Sequence, residues 1–238
     1  MKKSFLLLLT LVVLSIYHVG GNNTDSRVHT GWWIYNHNDY AKTGGKHDPR
    51  VKWAFDVFQR VKTAADKTGD RFPRLVIIDT RGEPYALAVP DGGIIINPIT
   101  LDTCYGSGRT EGDRRLAFIL GHELAHLVNK DFMHREAFLA LKKHGNEKAN
   151  QEISKHFHLS KPGKARERRL KELMADRYGM LYASMAGYDI AGLFEKGNDF
   201  FIYLANKLGT GNVYGENDKY PSLKDRANFI EGYLSFSP

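Results

Sequence analysis

The patterning of the chain predicts an α+β fold, mostly helical, with one small β-sheet. Three observations carry this. Apolar residues recur at three- and four-residue spacing over several long stretches, short β-branched runs are confined to residues 74–97, and no internal repeat or low-complexity linker intervenes. The 238 residues suit one domain, or one domain with a small lobe. Hydrophobic residues at 42 % and charged residues at 26 % exclude a disordered chain, a coiled coil, a collagen-like repeat and a polytopic membrane protein.

Residues 1–21 read as a secretory signal. Lys2 and Lys3 precede an apolar run over residues 5–16, and Val19-Gly20-Gly21 suits a cleavage site. The run falls short of the roughly 20 residues of a membrane span. An uncleaved N-terminal anchor is the alternative, and no cysteine follows the run as a lipoprotein would need. The mature chain is therefore expected to be exported, either periplasmic or secreted. Residues 22–48 lack periodicity and are expected to form an irregular arm whose Trp32 and Trp33 pack on the domain of residues 49–238.

Asp48-Pro49 opens the first helix as an N-cap followed by proline, and Val51, Ala54, Phe55, Phe58, Val61 and Ala65 form its apolar face up to Gly69. Strands are expected over residues 74–79, 85–89 and 94–97, with turn chemistry at Pro90-Asp91-Gly92-Gly93, giving a hairpin or meander. A long helix capped by Thr110 runs to about Lys130, with a stripe of Leu116, Ile119, Leu120, Leu124 and Leu127. Residues 132–160 read as mixed helix broken at Gly145-Asn146, and Lys161-Pro162-Gly163 as a turn. Another helix covers residues 165–186, with Leu170, Leu173, Met174, Tyr178 and Leu181 at helical spacing. A further helix is expected over residues 190–208, a loop over 209–220 and a last helix over 222–234.

The single cysteine, Cys104, cannot form an internal disulfide and is expected as a buried filler. Lys and Arg number 34 against 27 Asp and Glu, a net charge of +7. That surplus permits peripheral contact with an anionic membrane surface but does not call for nucleic acid. The basic run over residues 161–171 reads as a solvated helix face.

The chemistry sits on the long helix. His122-Glu123-Leu124-Ala125-His126 is an H-E-x-x-H sequence. Two histidines one helical turn apart leave the same face at the separation one metal ion needs, and neutral imidazoles suit Zn²⁺. Glu123 lies beside the first ligand and can take a proton from water on the metal. The apolar neighbours Leu124, Ala125 and Leu127 argue against a loosely solvated pair. A third ligand is required, and Glu172-Leu173-Met174-Ala175-Asp176 offers two carboxylates one turn apart. Glu172 would bind the metal and Asp176 would hydrogen-bond the outer nitrogen of His122. Taken alone, the pair could be an ordinary exposed one. Asn129 and Phe132 stand where a metzincin needs glycine and histidine, so that pattern is excluded. His134, His144, His156 and His158 remain as competing ligands, with His156 and His158 reading as a solvated pair.

These residues resemble the M48 zinc metallopeptidases, over roughly residues 50–235. Tyr85-Ala86-Leu87-Ala88-Val89-Pro90-Asp91-Gly92-Gly93 is similar to that family's strand and turn before the active-site helix, and Tyr220-Pro221-Ser222-Leu223-Lys224-Asp225-Arg226 to its H-P-x-x-x-x-R element. Two positions depart from the family: Tyr85 replaces an asparagine and Tyr220 a histidine. The resemblance implies a zincin-like domain with one zinc ion on His122, His126 and Glu172, and an edge strand beside the active-site helix. It implies that a polypeptide substrate adds as a β-strand along Tyr85, Ala86, Leu87 and Ala88. Tyr220 would take the oxyanion role, and Arg226 would orient the site or pair with a carboxylate. The expected function is a zinc-dependent endopeptidase acting on extended or unfolded polypeptides. A zinc-containing, non-catalytic binding or chaperone-like module is the alternative. A DNA-associated protein would need a cytosolic location, which the export signal opposes.

Overall fold

The computed structural model describes residues 40–42, 44–65, 73–79, 86–88, 92–129, 165–195, 200–207 and 221–235. The signal or anchor, Trp32 and Trp33, Gly69, Tyr85, residues 131–164 with their four histidines, the 209–220 loop and Tyr220 lie outside them. The described part of the arm, within residues 40–48, consists of turns, tied to the sheet by the Tyr40 N–H on the Ile77 carbonyl at 2.7 Å.

Six α-helices and one three-stranded mixed sheet make up the described α+β fold. Helix α1 (Pro49–Ala65) starts at the expected cap, where Asp48 Oδ1 accepts from the Arg50 N–H at 2.9 Å. It buries Ala54, Val57, Phe58 and Val61. Strands β1 (Arg74–Ile77), β2 (Ala86–Ala88) and β3 (Gly93–Ile96) lie in the order β1-β3-β2. The expected hairpin joins β2 and β3, with Leu87 opposite Ile95. β1 instead runs parallel to β3, so the sheet is not a meander. All residues of β2 and β3 are buried.

The third strand stops one residue earlier than expected because Asn97 starts a helix. Its side chain accepts from the Thr100 N–H at 3.0 Å, and Pro98 opens α2 (Pro98–Tyr105). The sequence reading missed this helix although its cap and proline repeat the pattern of Asp48-Pro49. Cys104 lies on α2, fully buried, and burial pushes its thiol up to about 12. Helix α3 (Arg109–Asn129) begins directly after Gly108, whose φ of 98° lets the chain turn into it, so Thr110 lies inside the helix rather than capping it.

Helix α4 (Ala165–Met185) ends in a Schellman motif. Gly187 (φ 85°) donates to Ser184, and the Tyr188 N–H reaches back to the Ala183 carbonyl at 3.1 Å. Its expected apolar face is wrong at Leu170 and Leu181, which are exposed. The buried face carries Glu172, Ala175, Asp176 and Ala183 instead. The expected helix over residues 190–208 is divided into a 3₁₀ turn (Ala191–Leu193) and α5 (Phe200–Lys207). Asp189 Oδ1 takes the Gly192 N–H at 3.2 Å, a local bond that competes with helical pairing.

Helix α6 (Leu223–Ser235) opens with a reciprocal capping box. The Asp225 N–H donates to Ser222 Oγ at 3.0 Å, and the Ser222 N–H to Asp225 Oδ2 at 3.1 Å. The core surrounds α3. Phe118 meets Phe194, Phe200 and Phe201 edge-on at 5.2, 5.9 and 5.8 Å, which holds α5 against the middle of α3. Among the described residues, no helix is long and apolar enough to cross a membrane.

Candidate metal centre

The site depends on how closely α3 and α4 approach. A Cβ placed on Gly121 of α3 would stand 2.5 Å from the Gly179 carbonyl oxygen, and one on Gly179 would stand 2.6 Å from the His122 nitrogen. Only hydrogen fits at these two positions, so backbone packs on backbone. Each glycine costs about 1 kcal/mol of helix propensity against alanine, and the close packing offsets that cost. Sequence reasoning missed this pair. Its signal was a glycine immediately before His122 and another three residues after Asp176, both inside helices.

The approach sets α4's carboxylates against α3's imidazoles. His122 Nε2 and His126 Nε2 are 3.1 Å apart. Glu172 places Oε2 at 3.5 Å from His122 Nε2 and Oε1 at 3.9 Å from His126 Nε2. Donors bound at ~2.0–2.1 Å to one tetrahedral ion lie about 3.3 Å from each other, so this triangle fits a single metal ion. All three residues are buried. The competing histidines at 134, 144, 156 and 158 fall outside the described residues.

Asp176 fixes the donor chemistry. Its Oδ1 lies 2.8 Å from His122 Nδ1. Burial disfavours charge on Asp176, but the Arg226 guanidinium and the His122 hydrogen bond outweigh it and hold the carboxyl below its usual range. An ionised carboxylate only accepts, so His122 holds a proton on Nδ1 against Asp176 while its Nε2 faces Glu172 and His126. Burial also opposes ionisation of Glu172, yet His122 and His126 hold it well below the usual carboxylate range. For His122 itself, burial opposes charge while the bonds to Asp176 and Glu172 prevail and raise it to about 10. Nε2 of His122 and the Glu172 carboxylate thus call for positive charge between them, which a proton or, in its place, a metal ion supplies.

Arg226 reaches this centre from α6. Its Nε donates to Asp176 Oδ2 at 2.7 Å and its Nη2 to Oδ1 at 2.5 Å, while the guanidinium stacks on Phe201 with its carbon 4.7 Å from the ring centre. The expected pairing with a carboxylate is thus present, and Asp176 is the partner. The aromatic surface beneath Arg226 was not foreseen.

Glu123 is 1 % exposed and faces β2, where its Oε2 accepts from the Ala88 N–H at 2.7 Å. Ala86, Leu87 and Ala88 therefore lie on the strand that touches the H-E-x-x-H helix, as expected. Tyr85 and Tyr220 fall outside the described residues, so the substrate and oxyanion roles read for them have no geometry here.

Comparison with curated proteins found no match. A comparison with family models matches peptidase family M48 over residues 50–231, more than three quarters of the chain, and the chain belongs to that family.

Proposed function

We propose that this member of peptidase family M48 is a zinc-dependent endopeptidase acting on extended or unfolded polypeptides in an exported compartment. The carrying observation is the buried His122, His126 and Glu172 triangle, with Asp176 setting the tautomer of His122. These three residues would hold one zinc ion. When bound, zinc polarises the scissile carbonyl and acidifies water. Glu123 takes the proton of the attacking water and returns it to the leaving amine. A peptide pairs along residues 85–88, and this backbone pairing confers little side-chain selectivity. Asp176 and Arg226 keep His122 oriented without touching substrate. Tyr220, through its hydroxyl, donates to the developing oxyanion in place of the family histidine.

The deciding experiment combines metal analysis with cleavage of unfolded casein by the exported chain, with and without chelator. Chelation is expected to abolish cleavage and zinc to restore it. Glu123→Gln should keep its zinc and lose activity, and Glu172→Ala should lose zinc. Normal casein cleavage by Glu123→Gln would remove Glu123 as the base. A folded, zinc-loaded wild type that cleaves nothing would favour the non-catalytic binding module.

A further inference from the structure

The hydrogen bond between Glu123 and Ala88 does more than join a helix to a sheet. Among the described residues β2 is the last strand of the sheet and pairs with β3, Leu87 standing opposite Ile95. In an antiparallel ladder, the N–H and C=O of one residue point to the same side, and successive residues alternate. The Ala88 N–H points off the sheet into Glu123, so Leu87 turns its polar groups to β3 while Ala86 and Ala88 turn theirs away. At 2.7 Å the bond is at the short end of the N–H···O range.

We propose that the Ala88 N–H is a positioning donor for Glu123. It anchors Oε2 against the end strand and so fixes the direction in which the carboxylate faces. It also withdraws Ala88's donor from substrate pairing, so that among residues 86–88 an added strand finds its outward N–H donor at Ala86, while the carbonyls of Ala86 and Ala88 both face it. One strand thereby sets the register of the peptide and the direction of the base. The kinetic part of this inference rests on the peptidase reading above, but the anchor itself does not.

The anchor is tested without turnover by amide exchange in the zinc-loaded full chain. The Ala88 amide should be protected in the wild type and exchange at least about 10-fold faster in Glu123→Ala, because protection follows the hydrogen bond. The Leu87 amide, bonded to β3, should be unchanged. Glu123→Gln, which preserves the shape, should shift the Ala88 amide proton because its acceptor changes from a carboxyl to an amide oxygen. Equal Ala88 exchange in the wild type and Glu123→Ala, or an Ala88 proton unmoved in Glu123→Gln, overturns the anchor.

Two prolines then separate the roles, since neither N–H serves the β2–β3 ladder. Ala88→Pro should lower kcat about 10- to 100-fold, part of what a general base contributes, with KM and zinc content held. Ala86→Pro should raise KM and spare kcat. The reverse split would mean that the Ala88 N–H serves substrate and not the base, and would overturn the proposal. A wild type without chelator-sensitive cleavage defeats the peptidase reading, while the exchange experiment still decides the anchor.

Discussion

Arg169–Asp225 and Asp176–Arg226 are ion pairs between α4 and α6, and they differ mainly in depth. At the rim, Arg169 of α4 meets Asp225 of α6 at 2.9 Å, with side chains 39 % and 46 % exposed. In the interior the polarity is reversed, and Asp176 of α4 meets Arg226 of α6 with side chains 0 % and 11 % exposed. Asp225 and Arg226 are neighbours in sequence, so one helical start supplies both contacts. At the rim, water competes for each charge and salt screens it, so the pair contributes little. In the interior, neither partner can turn to water, and each fixes the other. The same chemistry is a loose tie in one place and a constraint on the candidate metal centre in the other.

The strongest challenge to that contrast is Arg226→Met, which leaves Asp176 buried without its cation. The loss should be about 3–5 kcal/mol of stability, read by urea unfolding, with weaker zinc binding in whatever remains folded. Arg226→Lys should recover only part of this, because one ammonium cannot reproduce the two parallel bonds to Asp176.

Gly179→Ala is next and tests whether the interior pair depends on close helix packing. The new methyl meets backbone, which cannot give way as a flexible side chain would. A loss of about 1–3 kcal/mol is expected from overpacking despite alanine's better helix propensity. Zinc affinity should fall with it, since Glu172 and Asp176 move with α4. Unchanged stability and zinc affinity would show that α3 and α4 can separate without disturbing the donors.

Asp225→Ala removes a rim charge and one half of the α6 capping box. It should cost about 1 kcal/mol, mostly through the cap. Arg169→Ala removes the ion pair and keeps the cap, and should cost about 0–1 kcal/mol, an effect that shrinks further in 1 M salt. Comparable losses for Arg169→Ala and Arg226→Met would mean that depth does not govern these pairs.

The smallest expected effect is the acid limb of the rim. The Ser222 N–H, against the opposing effect of burial and with help from the Ser222 hydroxyl and Arg169, holds Asp225 below its ordinary value. A depressed carboxyl stabilises the fold above its unfolded pKa and loses that contribution as pH falls through the folded value. The stability difference between wild type and Asp225→Ala should therefore be constant above about pH 5 and shrink below about pH 4. Urea midpoints across that range would measure it.

The difference in depth also explains what could be read before the fold was known. His122, Glu123 and His126 share one helix turn, as do Glu172 and Asp176, so each half of the centre appears as spacing along a single segment. Asp48-Pro49 announced α1 in the same local way, and Asn97-Pro98 carried an equal signal for α2 that the strand-like isoleucines before it obscured. The face of α4 was misread because large apolar residues suggested Leu170 and Leu181, whereas close helix packing selects glycine, alanine and buried carboxylates. The parallel β1–β3 pairing left no trace in either strand alone, since direction belongs to the pair.

Sequence by itself determined the long helices near residues 49–65, 109–129 and 165–185 and the donor types one turn apart, because those depend on neighbours within about four residues. Only the tertiary structure decided that Gly121 meets Gly179, that Arg226 locks Asp176, and that the Ala88 N–H takes an oxygen of Glu123. Each of those contacts joins segments far apart along the chain, and its energy depends on the water excluded when they meet, which no local pattern encodes.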